Sequence, residues 1–281
     1  MNKDLESILA SLISIPSVNP MGRAVNPELD FEARMTDFLE RYFRELGVPF
    51  LRQPIAPGRD NIVAWLPAGK AESGAPIMLW EVHQDTVPVD GMTIPPFEPA
   101  VRNGRMYGRG ACDVKGSMAA MLHALGRLAN ERPVNAASII LACAVDEEAG
   151  GSGARGLMTR WPELTASDGL PAMPAMSIVA EPTELNVVVA HKGVVRWRCR
   201  TIGRAVHSSS PENGDNAIYR MGRVVAALER YHREELRGRE PHRLLGTPSL
   251  SVGLISGGAS VNVVPDACVI EIDRRVLPGE D

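Results

Sequence analysis

Four places in the chain put acidic or imidazole side chains where an apolar run stops. Ile77-Met78-Leu79-Trp80 reads as a buried strand and runs on into His83 and Asp85. Ser138 to Val145 reads as another, and Asp146-Glu147-Glu148 follows at once. Ser177 to Ala180 leads directly to Glu181, and Asp113 stands in a glycine-rich loop just before a helical pattern. Strands buried on both faces are near-continuously hydrophobic. In open α/β sheets the ligand crevice lies beyond their carboxyl ends. Each placement alone has an ordinary explanation, a surface histidine beside an N-capping aspartate or a solvated acidic turn. All four together point to one crevice. Carboxylates confined there repel one another and hold protons unless cations offset them. Histidine and carboxylate without thiolate suit zinc at an enzyme site, with cobalt and manganese as substitutes. One carboxylate more than a single ion needs suggests two ions sharing a bridging carboxylate. In the Glu147-Glu148 pair, one glutamate then binds metal and the other stays free as general base. A carboxylate beside His83 is also placed to orient its ring.

The elements that must position these groups are legible in the hydrophobic spacing. Leu5, Ile8, Leu9, Leu12 and Ile13 predict a helix that Pro16 ends. Met35, Phe38, Leu39, Tyr42, Phe43 and Leu46 predict a second, stopped by Gly47. Asn61 to Leu66 reads as a strand, and a proline-rich loop from Pro88 to Pro99 leads into NGRMYGRGACDVKG. Met118, Met121, Leu122, Leu125 and Leu128 then share a helix face. Strands alternating with helices predict an α/β fold, a mostly parallel sheet with helices on both faces. From about Lys192 the texture changes. Val194 to Ile202 alternates, a helix carries Ala217, Ile218, Met221, Val224, Val225 and Leu228, and strands follow at Leu250 to Ile255 and Cys268 to Val276. This β-α-β-β order predicts a smaller α+β domain over 192–281, after a metal-binding domain over 1–191.

A length of 281 residues suits about two domains, and its composition (44% apolar, 23% charged) is that of a globular protein. A net charge of −4 gives no sign of a nucleic-acid partner or an anionic membrane. No apolar run approaches a membrane span, and Asp4 and Glu6 interrupt the first apolar segment, unlike a signal peptide. Cys112, Cys143, Cys199 and Cys268 are far apart, and three lie in apolar runs. Free thiols there act as small hydrophobes, which fits a reduced, cytoplasmic compartment. Gly151 to Gly156 is a literal GxGxxG after a strand. A dinucleotide site needs those glycines directly at the strand end. Here three carboxylates intervene and would repel a pyrophosphate, so the glycines are read as letting the backbone turn after the site.

The blocks EVHQDTVP, GRMYGRGACDVKGSMAAML, VDEEAGGSG, AEPTELNVVVAHKG, GRAVHSSSPENGDNAI and GGASVNVVPDACVIEIDRRVLPG follow one another between residues 81 and 279. In this order they resemble the zinc-dependent family of acetylornithine deacetylase, succinyl-diaminopimelate desuccinylase, aminoacylase and carboxypeptidase G. The AHKG and DRRVLPG blocks are most similar to the acetylornithine deacetylase branch. The resemblance implies a zinc-peptidase-like catalytic domain and a lid domain through which two copies form a homodimer. It implies that His83 and Glu181 bind one zinc, Glu148 the second, and that Asp113 bridges both. Asp85 orients His83, and Glu147 is the general acid/base. His207, often from the partner subunit in such enzymes, stabilises the oxyanion. Asn262 and Arg275 hold the substrate, Arg275 by its carboxylate, which the planar guanidinium fork suits. Without the resemblance, His207 in its serine-rich loop and Arg274-Arg275 read as solvated positions. His123, His191, His232 and His242 have no motif around them and read as structural.

The implied reaction removes an acyl group from a small N-acyl amino acid, with N-acetylornithine deacetylation in arginine biosynthesis foremost. Succinyl-diaminopimelate desuccinylation and dipeptide hydrolysis are the alternatives in the same family. The family pattern continues past DRRVLPG, returning to the first domain to give the second zinc a further histidine. The expectation is therefore a C-terminally incomplete chain. A non-catalytic dimerising protein is the reading from a different class.

Overall fold

The computed structural model describes residues 4–68, 76–134 and 136–280. The chain divides into two compact units, Met1–Leu185 and Asn186–Asp281. In the first, helix α1 (Leu5–Ile13) is capped by Asp4, whose carboxylate accepts the Ser7 N–H at 2.7 Å. Helix α2 (Ala33–Leu46) ends at Gly47, which takes a left-handed conformation with φ 65°. Strands β1 (Phe50–Ala56) and β2 (Arg59–Leu66) form a hairpin. Strand β3 (Ile77–His83) follows, then a short hairpin of β4 (Ala100–Arg102) and β5 (Arg105–Tyr107). Helix α3 (Lys115–Glu131), strand β6 (Ser138–Ala144), helix α4 (Ser152–Ser167) and strand β7 (Met176–Val179) complete the unit.

The sheet order is β1-β2-β6-β3-β7. β3 pairs parallel with both β6 and β7, whereas β1-β2 and β2-β6 are antiparallel. The α/β class stands, with the parallel character confined to the half that carries the site. There the register sets His83 against Ala144 and Glu81 against Val179. All three parallel strands therefore end at one edge, and their following loops leave from it together. One sheet face is covered by α1, α2 and α3, through Ile8, Leu12, Leu39, Phe43, Met118 and Leu122. The other is covered by α4, where Leu157, Trp161 and Leu164 pack on Val63, Leu79 and Ile140. Alternate residues of a strand point to opposite faces, so β3 feeds Leu79 to one core and Val82 to the other.

In the second unit, β8 (Gly193–Ile202), helix α5 (Ala217–Arg230), a π-helical turn at Tyr231–Leu236, β9 (Ser249–Gly257) and β10 (Ala267–Val276) follow in order. The strands form an antiparallel sheet in the order β8-β10-β9. Asn216 caps α5 by accepting the N–H groups of Ile218 and Tyr219 at 2.9 and 3.1 Å. Ala217 and Met221 pack with Leu250, Cys268, Ile270 and Ile272 in a separate core. Among the described residues, no helix is long and apolar enough to cross a membrane.

Candidate metal centre

His83 is the last residue of β3 and is 2% exposed. Its Nδ1 lies 2.9 Å from the main-chain oxygen of Asp85, and its Nε2 lies 3.2 Å from Oδ1 of Asp113. The ring is thus held at Nδ1 and presents Nε2 to the carboxylates. Asp85 does this with its carbonyl. Its carboxylate stands 3.6 Å from Nδ1 and is turned elsewhere, accepting the N–H groups of Glu147 at 3.1 Å and Glu148 at 3.2 Å and Asn19 Nδ2 at 2.8 Å. The role of Asp85 is therefore wider than orienting one ring: it ties the loop after β6 to the end of β3.

Ligand atoms of His83, Asp113 and Glu181 all lie within 4.8 Å of one another. Asp113 comes from the loop before α3, and Glu181 from just beyond β7, where the Ala180 N–H bonds Glu81 O at 2.9 Å. The parallel strands bring the contributing loops to one edge, as ligand crevices in such sheets require.

The electrostatics is that of crowded carboxylates around one imidazole. Burial opposes charge on His83, but the Asp85, Glu147 and Glu181 carboxylates outweigh it and push its pKa up to about 10. Burial, with help from Asp113, Asp85 and Glu147, pushes Glu148 up to about 7 despite His83. Glu181 is raised, first by burial and then by Glu147 and Asp113. Protonated His83 donates from both nitrogens, so the Nε2 proton stands where a cation would bind. The donor set fits a divalent metal: an imidazole with its far nitrogen engaged, carboxylates converging on the other, and no thiolate.

Three charged side chains of the same unit that no sequence motif marked are buried or half-buried. Glu81 shares a face of β3 with His83, two residues away. Burial, reinforced by Glu181, Glu147 and Asp85 against the pull of His83, pushes it up to about 7. Lys115, at the start of α3, is 1% exposed and donates to Ile15 O at 2.7 Å. Burial pushes its pKa down to about 7. Arg59 pairs with Glu32 and Asp146. Alternation along β3 was the available signal for Glu81. For Lys115 and Arg59, one sequence carried none.

The remaining candidates lie in the second unit. His207 forms an isolated bridge with Val263, and the Ser208 N–H bonds Asn262 O at 3.0 Å, so His207 and Asn262 are neighbours. His207 is exposed, with Nδ1 2.8 Å from Ser209 Oγ. Arg275, on β10, gives its Nε to Asp273 at 2.8 Å. The neighbouring Arg274 is buried and pairs with Glu280 at 3.2 Å. His232 Nδ1 accepts the Leu250 N–H at 3.3 Å, a structural use. The four cysteines are free.

Residues 79–269 match the family described as peptidase family M20/M25/M40. The chain belongs to that family. It is 30% identical over 274 residues to the acetylornithine deacetylase of Vibrio campbellii, across 96% of this chain and 67% of that one. It therefore spans about two thirds of the length of that curated relative. Its fold is similar to an M20 family metallo-carboxypeptidase of Sulfolobus solfataricus, with TM-score 0.78 and 18% identity over 99% of this chain and 72% of the other. It is also similar to the Bacillus subtilis YXEP protein, described as a dinuclear metal binding peptidase (TM-score 0.59, 15% identity, covering 98% and 64%). For an M20 member, a His, Asp and Glu group gathered at the edge where β3, β6 and β7 end is a coherent candidate metal site, and the glycine run after β6 serves packing. Gly151 has φ 61°, and a Cβ on Gly153 would stand 2.3 Å from Val145 O.

Proposed function

We propose that the protein removes the acyl group from a small N-acyl amino acid, with N-acetylornithine as the first substrate to try. The carrying observation is the convergence of His83, Asp113 and Glu181, with Glu147 and Glu148 fixed beside them through Asp85. The likeness to a curated acetylornithine deacetylase over nearly all of this chain supports the substrate class. Zinc would suit the donors and two ions would suit the number of carboxylates, and His83, Asp113, Glu148 and Glu181 are the residues that would hold them. Metal there supplies Lewis acidity to a water and to the acyl carbonyl. Glu147, exposed at the strand end, would take a proton from the attacking water as it adds to the acyl carbon and return it to the amine as the C–N bond breaks. His207 donates a hydrogen bond to the oxygen on which charge develops, and Asn262 beside it helps hold the substrate. Arg275 exchanges Asp273 for the substrate carboxylate. The second unit pairs two copies into a homodimer, and the enzyme works in the cytoplasm, in amino-acid biosynthesis. Succinyl-diaminopimelate and dipeptides are the second substrate classes, the latter because similar folds carry peptidase names.

The test is release of ornithine from N-acetylornithine by the full chain with zinc, cobalt or manganese, beside succinyl-diaminopimelate and dipeptides. Glu147→Gln should lower kcat by about 10²- to 10⁴-fold with metal content unchanged. Turnover retained in that variant would remove Glu147 from its role. Turnover that survives complete chelation would remove the metal.

A further inference from the structure

Asp85 and Asp146 belong to a buried knot of charged and polar side chains next to the candidate ligands. Arg59, from β2, holds both oxygens of Glu32, from Nε at 2.9 Å and Nη2 at 2.5 Å. Its Nη1 reaches Oδ1 of Asp146 at 2.9 Å. The Glu32 side chain is fully buried, and its Oε1 also accepts the Asp146 N–H at 3.2 Å. Asn19 completes the knot. Its Nδ2 donates to Asp85 Oδ2 at 2.8 Å and to Asp146 Oδ1 at 3.1 Å. Its Oδ1 accepts the Met21 N–H at 3.1 Å, which fixes the amide the right way round. Asn19 is 2% exposed and is pinned by its own N–H on Thr86 O at 2.8 Å.

We propose that Asn19 and Arg59 are positioning residues, a clamp that sets the main chain of Glu147-Glu148 against the end of β3. This rests on the reading that those glutamates serve a metal-dependent hydrolase. The geometry carries it in three steps. Asp146 has φ 66°, a conformation that aspartate tolerates better than most residues, so the chain turns sharply there. The turn is held at the Asp146 N–H by Glu32, at its Oδ1 by Arg59 and Asn19, and at its Oδ2 by Ser152 Oγ at 2.6 Å, while its main-chain O accepts the Gly150 N–H at 3.2 Å. Beyond the turn, two successive N–H groups point at one carboxylate, Asp85. Asn19 hydrogen-bonds Asp85 and Asp146 at once, and Arg59 also faces both, with Nη2 3.9 Å from Asp85 Oδ2. If it is removed, Asp85 and Asp146 face each other with less between them.

A generic core role would destabilise the unit evenly. A clamp loosens one turn. The arginine fork also matters, because a lysine keeps the charge but cannot hold both Glu32 oxygens and Asp146 together.

The experiment compares Asn19→Ala, Asn19→Ser and Arg59→Lys with the wild type in the full chain. Amide hydrogen exchange is followed without metal, and zinc affinity is measured by competition with a chromophoric chelator. In the Asn19 variants, exchange at the Glu147 and Glu148 amides should quicken by about tenfold while β3 and β6 keep their protection. Zinc affinity should fall by about 10- to 100-fold, and kcat for N-acetylornithine should fall with KM within about twofold. Arg59→Lys should show the same pattern. If it does not fold, the uncharged Asn19 variants decide. Exchange and zinc affinity equal to wild type would overturn the clamp, and so would exchange that rises evenly across the first unit. A wild type that takes up no zinc would sink the metal reading alone, and local exchange would still decide the clamp.

Discussion

At the proposed metal site a proton and a metal would compete for His83 Nε2. In the metal-free site its pKa stands at about 10, so near neutral pH the Nε2 site is protonated. A metal ligand must be neutral there, so metal binding releases that proton. Calorimetric titration of zinc in two buffers of different ionisation enthalpy should find about one proton or more released near pH 7. Release of none would mean that His83 is not a ligand. The carboxylates give a second pH signature. Glu81 and Glu148 are raised from 4.5 to about 7, chiefly by burial. A carboxyl with a raised folded-state pKa stabilises fully below its unfolded value and loses that contribution as pH rises to the folded value. The window is thus about pH 4.5 to 7, in which metal-free protein loses stability. His83 acts with the same sign later: its contribution is complete below 6.5 and is lost as pH rises through about 10. A cation relieves the carboxylate repulsion, so the metal-induced rise in Tm should grow from about pH 5 to about pH 7. A rise that shrinks over that window would contradict the crowded-carboxylate site.

At the scale of elements, the glycines after β6 do a packing job. A Cβ on Gly153 would meet Val145 O at 2.3 Å, Val145 N at 2.5 Å and Asn61 Oδ1 at 2.7 Å. These are backbone and buried side-chain atoms of the layer that carries the acidic turn. Gly153→Ala should therefore cost roughly 1–3 kcal/mol and lower Tm by several degrees. Gly222→Ala in α5 is the control: nothing lies within 4 Å of the added Cβ, and the position is exposed. That change should be neutral or stabilise by up to about 1 kcal/mol. Equal effects at both positions would refute the close-packing account. Element by element, legibility followed hydrophobic pattern. β3, β6 and α3 were readable because their apolar runs are long and regular. β1 was not. It carries Pro54, tolerated because β1 is an edge strand whose register shifts between Pro54 and Ala56. α4 starts in a glycine run and contains Pro162, both signals against a helix. It forms because Leu157, Trp161 and Leu164 cover the sheet. The Asn103-Gly104 dipeptide was a readable hairpin turn between β4 and β5 that the apolar pattern concealed. The acidic and imidazole groups that converge in the candidate site were legible at or near strand ends, whereas the Asn19-Arg59 knot was not, because its partners are up to 127 residues apart.

At the scale of the molecule, each unit has its own core and its own candidate groups. The ligand group, Glu147 and Glu148 belong to Met1–Leu185, and His207, Asn262 and Arg275 belong to Asn186–Asp281. Metal alone should therefore stabilise one unit. Anything that binds the folded state stabilises it by mass action, about 2.7 kcal/mol at a concentration 100 times the dissociation constant. That gain should sit where the ligands are. Hydrogen exchange with and without zinc, in the absence of substrate, should show new protection at the end of β3, in the loop before α3, in the turn after β6 and around Glu181. The strands β8, β9 and β10 should exchange as before, because their hydrogen bonds close within their own sheet. If His207 and Asn262 act as proposed, an N-acetylornithine analogue that cannot be hydrolysed should then extend protection to their loops. Zinc alone protecting both units equally would mean that the second unit supplies a metal ligand. The assignment of all metal-binding side chains to the first unit would then be wrong.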